Sequence, residues 1–219
     1  MTIEIATAPE AVIDTPRKKL KQKMRGFTLI ELGIVLTIVA ILALFAVPRV
    51  QGYLIGGKVQ PTATEIGAAV GRIRANASAN AAAAQPYVGI GIDALARALD
   101  NRANALIPTV AALPANSTVL HRLGANGANT AVAALQTGLA AAGGAAGDSF
   151  SITFNNVSDA ACPEFASALQ AQTEITTING TTVKSTVNSV NANATAYNGT
   201  TAQAACAAGN NNTFVFTFR

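Results

Sequence analysis

From Phe27 to Pro48 the chain reads FTLIELGIVLTIVAILALFAVP, an apolar run holding one carboxylate, Glu31. Wound as a helix rising about 1.5 Å per residue, it reaches about 30 Å, the thickness of a bilayer's hydrocarbon core. The run therefore predicts a membrane-spanning helix close to the N-terminus. Ahead of it stands Arg17-Lys18-Lys19-Leu20-Lys21-Gln22-Lys23-Met24-Arg25. Short basic flanks stay on the cytoplasmic side of a membrane, so the N-terminus is expected inside and the C-terminus outside. A secretory signal peptide competes with this interpretation, but it has a shorter apolar core and small residues at a cleavage site after it. Phe45-Ala46-Val47-Pro48-Arg49 offers no convincing site of that kind.

Glu31 is the anomaly. An ionisable group near the centre of a membrane helix costs on the order of 2.5 to 3.5 kcal/mol, less towards the interface. One reading places it close enough to the cytoplasmic face to reach water along its own stem. The other requires a positive charge at the same depth, and residues 27–47 contain no Lys, Arg or His. Cutting the chain ahead of Phe27 would supply one, as a new α-amino group.

Arg25-Gly26-Phe27-Thr28-Leu29-Ile30-Glu31-Leu32 resembles the processing signal of type IV prepilins, in which a basic leader ends in Gly and the mature chain begins with Phe. The resemblance implies that a membrane prepilin peptidase cuts between Gly26 and Phe27 and methylates the new amino group of Phe27. It implies that Glu31 pairs with the amino terminus of a neighbouring subunit as a filament grows. Pro48 falls where many such pilins carry a helix-kinking proline. The leader, residues 1–26, is longer than the shortest ones and carries Glu4, Glu10 and Asp14. Long leaders point to the type IVb branch.

Charge supports separating the leader from the working protein. The chain has 15 basic and 11 acidic residues; the leader's six and three leave nine against eight in the mature chain. The net charge of +4 is thus chiefly a topology signal and not a nucleic-acid footprint. Arg72 and Arg74 are the one close basic pair beyond the leader junction, fewer than phosphate recognition normally recruits. No nucleic-acid partner is expected.

Past the membrane run the helix is expected to continue with interruptions. Val50, Tyr53 and Leu54 make a short apolar stripe; Ile66, Ala69, Val70, Ile73 and Ala77 make a longer one with helical spacing. At about 100° per residue the two face nearly opposite ways. Gly52, Gly56, Gly57 and Pro61 between them weaken helix, and Pro61 removes a bond to the Gly57 carbonyl. The first stripe is expected to meet other subunits and the second to hold the chain's own head.

The remaining residues suffice for one domain with its own core. Asp93 is expected to cap a helix over Ala94–Asn101 with Leu95, Ala98, Leu99 and the Arg102 stem on one side. Pro108 and Pro114 break structure, and Gly124–Gly147 is expected to hold a helix at Thr130–Ala142 because alanine favours it. Ser149–Phe154 and Thr213–Phe218 alternate as half-buried strands do. Asn179-Gly180 marks a two-residue hairpin turn within Ile175–Lys184, and Tyr197-Asn198-Gly199-Thr200 a weaker one. Aromatic residues along a strand face supply core rather than a ligand site.

Cys162 and Cys206 are the two cysteines, expected outside the membrane where disulfides persist. Pairing them is the simple reading and two free thiols the alternative; the resemblance also implies a disulfide-bounded C-terminal region on a filament surface. Catalysis is not expected. His121 is the sole histidine, the head's carboxylates are dispersed, and Gly143-Gly144 lacks the strand, lysine and helix start of a phosphate loop. No cofactor or metal is expected.

The expected fold is α+β: a long N-terminal helix, membrane-spanning in its first half and amphipathic in its second, packed on an antiparallel sheet in a C-terminal head. The expected parts are a leader at 1–26, an assembly helix at 27–80 and a head at 81–219. By resemblance the chain is a structural subunit, a type IVb-like major pilin stored in the inner membrane and polymerised by pilus assembly machinery into a homopolymeric surface filament. Adhesion, aggregation, conjugation or motility are the uses such filaments have. The alternative is a minor pilin or type II secretion pseudopilin that presents its head to a ligand or cargo.

Overall fold

A computed structural model of the chain describes residues 26–79, 85–100, 103–124, 130–136, 147–186 and 194–219. The basic leader and Arg102 lie outside the described residues, as does most of Gly124–Gly147. Contacts divide the chain into two compact units, Met1–Ala43 and Leu44–Arg219.

Helix α1 spans Leu29–Gly56 and helix α2 Val59–Ser78. Within the first unit, α1 places Leu29, Ile30, Leu32, Ile34, Val35, Leu36, Ile38, Val39, Ile41 and Leu42 on the surface. Its best 18-residue window has a mean hydropathy of 2.7, apolar and long enough to cross a membrane. Helix is assigned continuously through Pro48. The interruption comes at Gly57 and Lys58, where Gly57 N–H still reaches the Tyr53 carbonyl at 3.0 Å but Lys58 N–H tightens onto Ile55 at 3.0 Å. Pro61 sits in the first turn of α2, where its missing N–H would lack an intrahelical partner anyway.

The second stripe behaves as its spacing predicts: Ile66, Ala69, Val70, Ile73 and Ala77 are all buried in the head's core. That core lies between helices and a sheet. Helix α3 (Ile92–Leu99) and helix α4 (Cys162–Leu169) both pack on α2. The strands are β1 (Ile107–Thr109), β2 (Thr118–His121), β3 (Thr130–Gln136), β4 (Phe150–Val157), β5 (Ile175–Ile178), β6 (Thr181–Ser185) and β7 (Asn212–Phe218). A last helix, α5, covers Gly199–Ala205. Among the described residues the strands form one sheet in the order β1-β2-β3-β4-β7-β5-β6, every pairing antiparallel.

The C-terminal strand lies inside the sheet, and the alternation in β4 and β7 explains why. Phe150, Ile152 and Phe154 oppose Phe218, Phe216 and Phe214 in register, and all six are fully buried. Phe165 of α4 meets this face edge-on, with ring centroids 4.9 Å from Phe154 and 5.2 Å from Phe216. Burying such a side chain stabilises by about 1.5–3 kcal/mol, and edge-to-face pairs add about 0.5–1.5 kcal/mol. β5 and β6 join through Asn179 and Gly180, with φ of 50° and 80°. Positive φ at both central residues is the hairpin geometry that Asn-Gly favours.

Three local expectations fail. Thr130–Gln136 is strand, not helix: β3 pairs with β2 on one side and β4 on the other, so ladder bonds outweigh alanine's helix propensity. The rest of the expected Thr130–Ala142 helix lies outside the described residues. Tyr197–Thr200 is no hairpin turn, because the Asn198 side chain accepts the N–H groups of Thr200 and Thr201 at 2.9 and 3.0 Å and caps α5. Asp93 does not cap α3; Gly91 occupies that place, and Asp93 lies in the first turn.

Candidate assembly site and the head that follows it

Gly26, Phe27 and Thr28 precede α1, and Phe27 is exposed. The Thr28 carbonyl accepts the Leu32 N–H at 3.1 Å, which opens the helix ladder. Thr28 Oγ1 accepts the Glu31 N–H at 3.2 Å, and Glu31 Oε2 accepts the Thr28 N–H at 3.5 Å. This reciprocal pair is a capping box, which satisfies two of the N–H groups that a helix start leaves open. Glu31 therefore has a local role that the sequence reading missed, although Thr-x-x-Glu ahead of an apolar run is its signature. The carboxylate remains exposed, and among the described residues no base forms a salt bridge with it. Thr37, the other polar side chain in the run, donates its hydroxyl to the Gly33 carbonyl at 2.8 Å, which removes its cost in an apolar medium.

At the other end of α1, Ile55 turns into the core while Val50, Tyr53 and Leu54 stay exposed. A Cβ at Gly52 would meet Ala160 at 3.7 Å, and one at Gly56 would meet the Glu164 carboxylate at 3.9 Å. The small residues let the start of α4 lie close against this part of α1.

The head is fastened by polar contacts of long sequence separation. Cys162, the first residue of α4, forms a disulfide with Cys206, just past α5, with Cα atoms 6.0 Å apart. Asn179 donates to the Ala205 carbonyl and to Asn212 Oδ1, both at 2.8 Å, and accepts the Thr213 N–H at 2.8 Å. The hairpin turn is thereby tied to β7 and to the segment entering the disulfide. Buried Lys184 donates to the carbonyls of Gln170 and Thr173 beyond the end of α4, where a cation suits the helix's negative pole. Burial pushes its pKa down, and the charge of Glu174 opposes that shift. Glu65 of α2 accepts three successive backbone N–H groups, from Asn104 at 2.6 Å and from Ala105 and Leu106 at 2.8 Å each. Neither Lys184 nor Glu65 carries a local sequence signal, because their partners are backbone atoms far along the chain.

His121 is buried against Phe154. Its Nδ1 accepts the Leu123 N–H at 3.2 Å, so the proton belongs on Nε2, which lies 2.9 Å from the Asn155 carbonyl. Burial pushes its pKa below the ordinary histidine value, against the raising effect of that carbonyl. It is a satisfied core residue. Arg72 donates to the Ala98 carbonyl, and Arg74 reaches the Gln172 carbonyl at 3.5 Å, so the one close basic pair serves contacts within the head. Among the described residues no cluster of His, Cys, Asp or Glu is able to hold a metal ion.

An exposed apolar helix, opened by Gly26-Phe27-Thr28, thus precedes a head built around an antiparallel sheet. The family model described as PilS N terminal matches residues 99–219, more than half of the chain. The model described as the prokaryotic N-terminal methylation motif matches residues 21–47. The chain belongs to the PilS N-terminal family and is a type IV pilin. Among solved structures, a type IV b pilin from Salmonella typhi aligns at 19% identity over 74% of this chain and 96% of that chain, with a TM-score of 0.39. No curated protein sequence matches the chain.

Proposed function

We propose that this chain is the repeating subunit of a type IVb-like pilus, held in the inner membrane by α1 and polymerised through that helix into a surface filament. The observation that carries the reading is the coincidence of the methylation motif at 21–47 with a bilayer-length helix that begins two residues after Phe27. Prepilin peptidase removes residues 1–26 between Gly26 and Phe27 and methylates the Phe27 amino group. The basic leader holds the N-terminus in the cytoplasm until then.

Glu31 then acts twice. In the stored subunit its carboxylate closes the capping box with Thr28; during growth it meets the Phe27 amino group of a neighbour, a charge absent from its own apolar run. Pro48 provides a bend without ending the helix, and exposed Val50, Tyr53 and Leu54 extend the intersubunit surface beyond the bilayer. The disulfide-bounded segment from Cys162 to Cys206 faces the outside of the filament. Pilus assembly machinery drives extraction, and the filament serves adhesion, aggregation, conjugation or motility.

Shearing surface filaments from cells expressing the parent or Glu31→Ala chain tests this reading. The parent should dominate the sheared fraction, and the variant should be processed and membrane-inserted but nearly absent from it. Filaments of normal number and length from Glu31→Ala cells would refute the pairing role. Confinement of the parent chain to a filament tip or a periplasmic fibre would identify a minor pilin or a secretion pseudopilin instead.

A further inference from the structure

We propose that the cleft between α2 and α3 is a binding site for a carboxylate-bearing saccharide. The cleft has a volume of about 730 Å³ and is lined by Arg72 and Asn76 of α2, Pro86 and Tyr87 of the following loop, and Asp93 and Arg97 of α3. That volume falls within the roughly 300–1,000 Å³ of small-molecule sites.

The walls are fixed before any ligand arrives. Tyr87 is buried with its ring 4.9 Å from that of Phe150, and its N–H bonds the Gly147 carbonyl at 2.9 Å. Arg72 is held by the Ala98 carbonyl in the last turn of α3. Arg97 donates Nε to Asp93 Oδ2 at 2.8 Å, and Ser117 donates to Asp93 Oδ1 at 3.0 Å. Among the described residues the terminal amino groups of Arg97 have no protein acceptor, and its side chain is 59% exposed at the rim. Preorganised groups of this kind lose little freedom on binding.

The charge pattern selects the ligand class. Two guanidinium groups face one carboxylate, so an anionic group is attracted, and a guanidinium grips a carboxylate through paired N–H donors. A simple inorganic anion meets repulsion from Asp93 and gives its oxygens no hydrogen to accept. A neutral sugar leaves the Arg97 donors idle. A sugar acid supplies both needs: its carboxylate goes to Arg97 and Arg72, its hydroxyls to Asp93 and exposed Asn76, and its C–H face to Pro86. This goes beyond the polymerisation reading and does not depend on it, since one unassembled subunit carries the whole site.

The test uses the full processed chain in detergent micelles, titrated by calorimetry with sialyllactose, lactose, sodium sulfate and triglycine. Sialyllactose should bind, with lactose and sulfate each weaker by about tenfold or more, the loss expected for one missing charge-assisted hydrogen bond. Arg97→Gln should weaken sialyllactose to the level of lactose. Because that change also releases Asp93, Asn76→Ala is the second variant and should weaken binding without altering the melting temperature. Arg122→Gln, an exposed residue outside the cleft, should bind as the parent does. Equal binding of lactose, competition by sulfate at equal concentration, tighter binding of triglycine, or no heat from any probe would each overturn the proposal.

Discussion

Replacing Glu65 by alanine should loosen the whole head, and the size of the effect follows from three hydrogen bonds. The carboxylate accepts the N–H groups of Asn104, Ala105 and Leu106. Asn104 is exposed, so water replaces its lost partner, but Ala105 is half-buried and Leu106 fully buried. Leaving a buried amide unsatisfied costs about 1–3 kcal/mol, so two such amides put the loss for Glu65→Ala at about 2–6 kcal/mol. Leu106 anchors the entry to β1 in the core, so the loss should propagate to the sheet edge instead of staying in the loop. For a domain of this size each kcal/mol lowers the melting temperature by about 2–4 °C, which predicts a fall of roughly 4–24 °C. Glu65→Gln keeps one acceptor oxygen, enough for the Asn104 and Ala105 N–H groups that share Oε1, but sets an NH2 donor against the buried Leu106 N–H, so it should cost about 1–3 kcal/mol, less than alanine. Urea unfolding of the detergent-solubilised chain, followed by circular dichroism, measures both. Stability of Glu65→Ala within about 0.5 kcal/mol of the parent, the scatter of ordinary surface changes, would refute the reasoning. Equal losses from Gln and Ala would show that the bonds Gln can keep, to Asn104 and Ala105, contribute nothing.

Cys162→Ser should lower head stability by about 4 kcal/mol, the loop-entropy value for a crosslink of this span, while leaving α1 in the membrane; unchanged thermal unfolding under reducing and oxidising conditions would contradict it. His121 has a folded-state pKa depressed by burial, so the unfolded chain binds its proton more readily. Its contribution to stability is complete above the ordinary value of 6.5 and declines as pH falls below it towards the folded pKa. His121→Gln should flatten the stability profile below pH 6.5, and an unchanged slope would show that other groups set it. Gly26→Trp should block leader removal, read as a heavier band on immunoblots; a mature-sized product would contradict the assigned junction.

Much of this molecule was legible because its decisive signals are local. The apolar run, the α2 stripe, the aromatic alternation in β4 and β7 and the Asn179-Gly180 turn each occupy a few consecutive residues whose period or chemistry has one good structural solution. The errors arose where tertiary partners decide. The alanines of β3 favour helix in isolation, and two neighbouring strands overrule them. Asn198-Gly199 suits a turn, yet the Asn198 oxygen finds two N–H groups of a nascent helix. Asp93 has the chemistry of a cap but lies past the helix start, where Ser117 and Arg97 claim its oxygens. Glu65 and Lys184 were invisible for the same reason, since each binds main-chain groups supplied by folding and not by spacing. Thr28 was legible and overlooked: the capping box shares its residues with the proposed processing signal, and the pairing role proposed for Glu31 hid its local one.

The central claim is that the apolar run becomes a polymerisation element when the chain is cut ahead of Phe27. Intact-mass spectrometry with N-terminal fragmentation on sheared surface filaments tests it most directly. The account predicts a subunit beginning at Phe27, carrying one added methyl group on its amino nitrogen and lacking two hydrogens at Cys162 and Cys206. Filament subunits that retain residues 1–26, or that begin at any other residue, would contradict it.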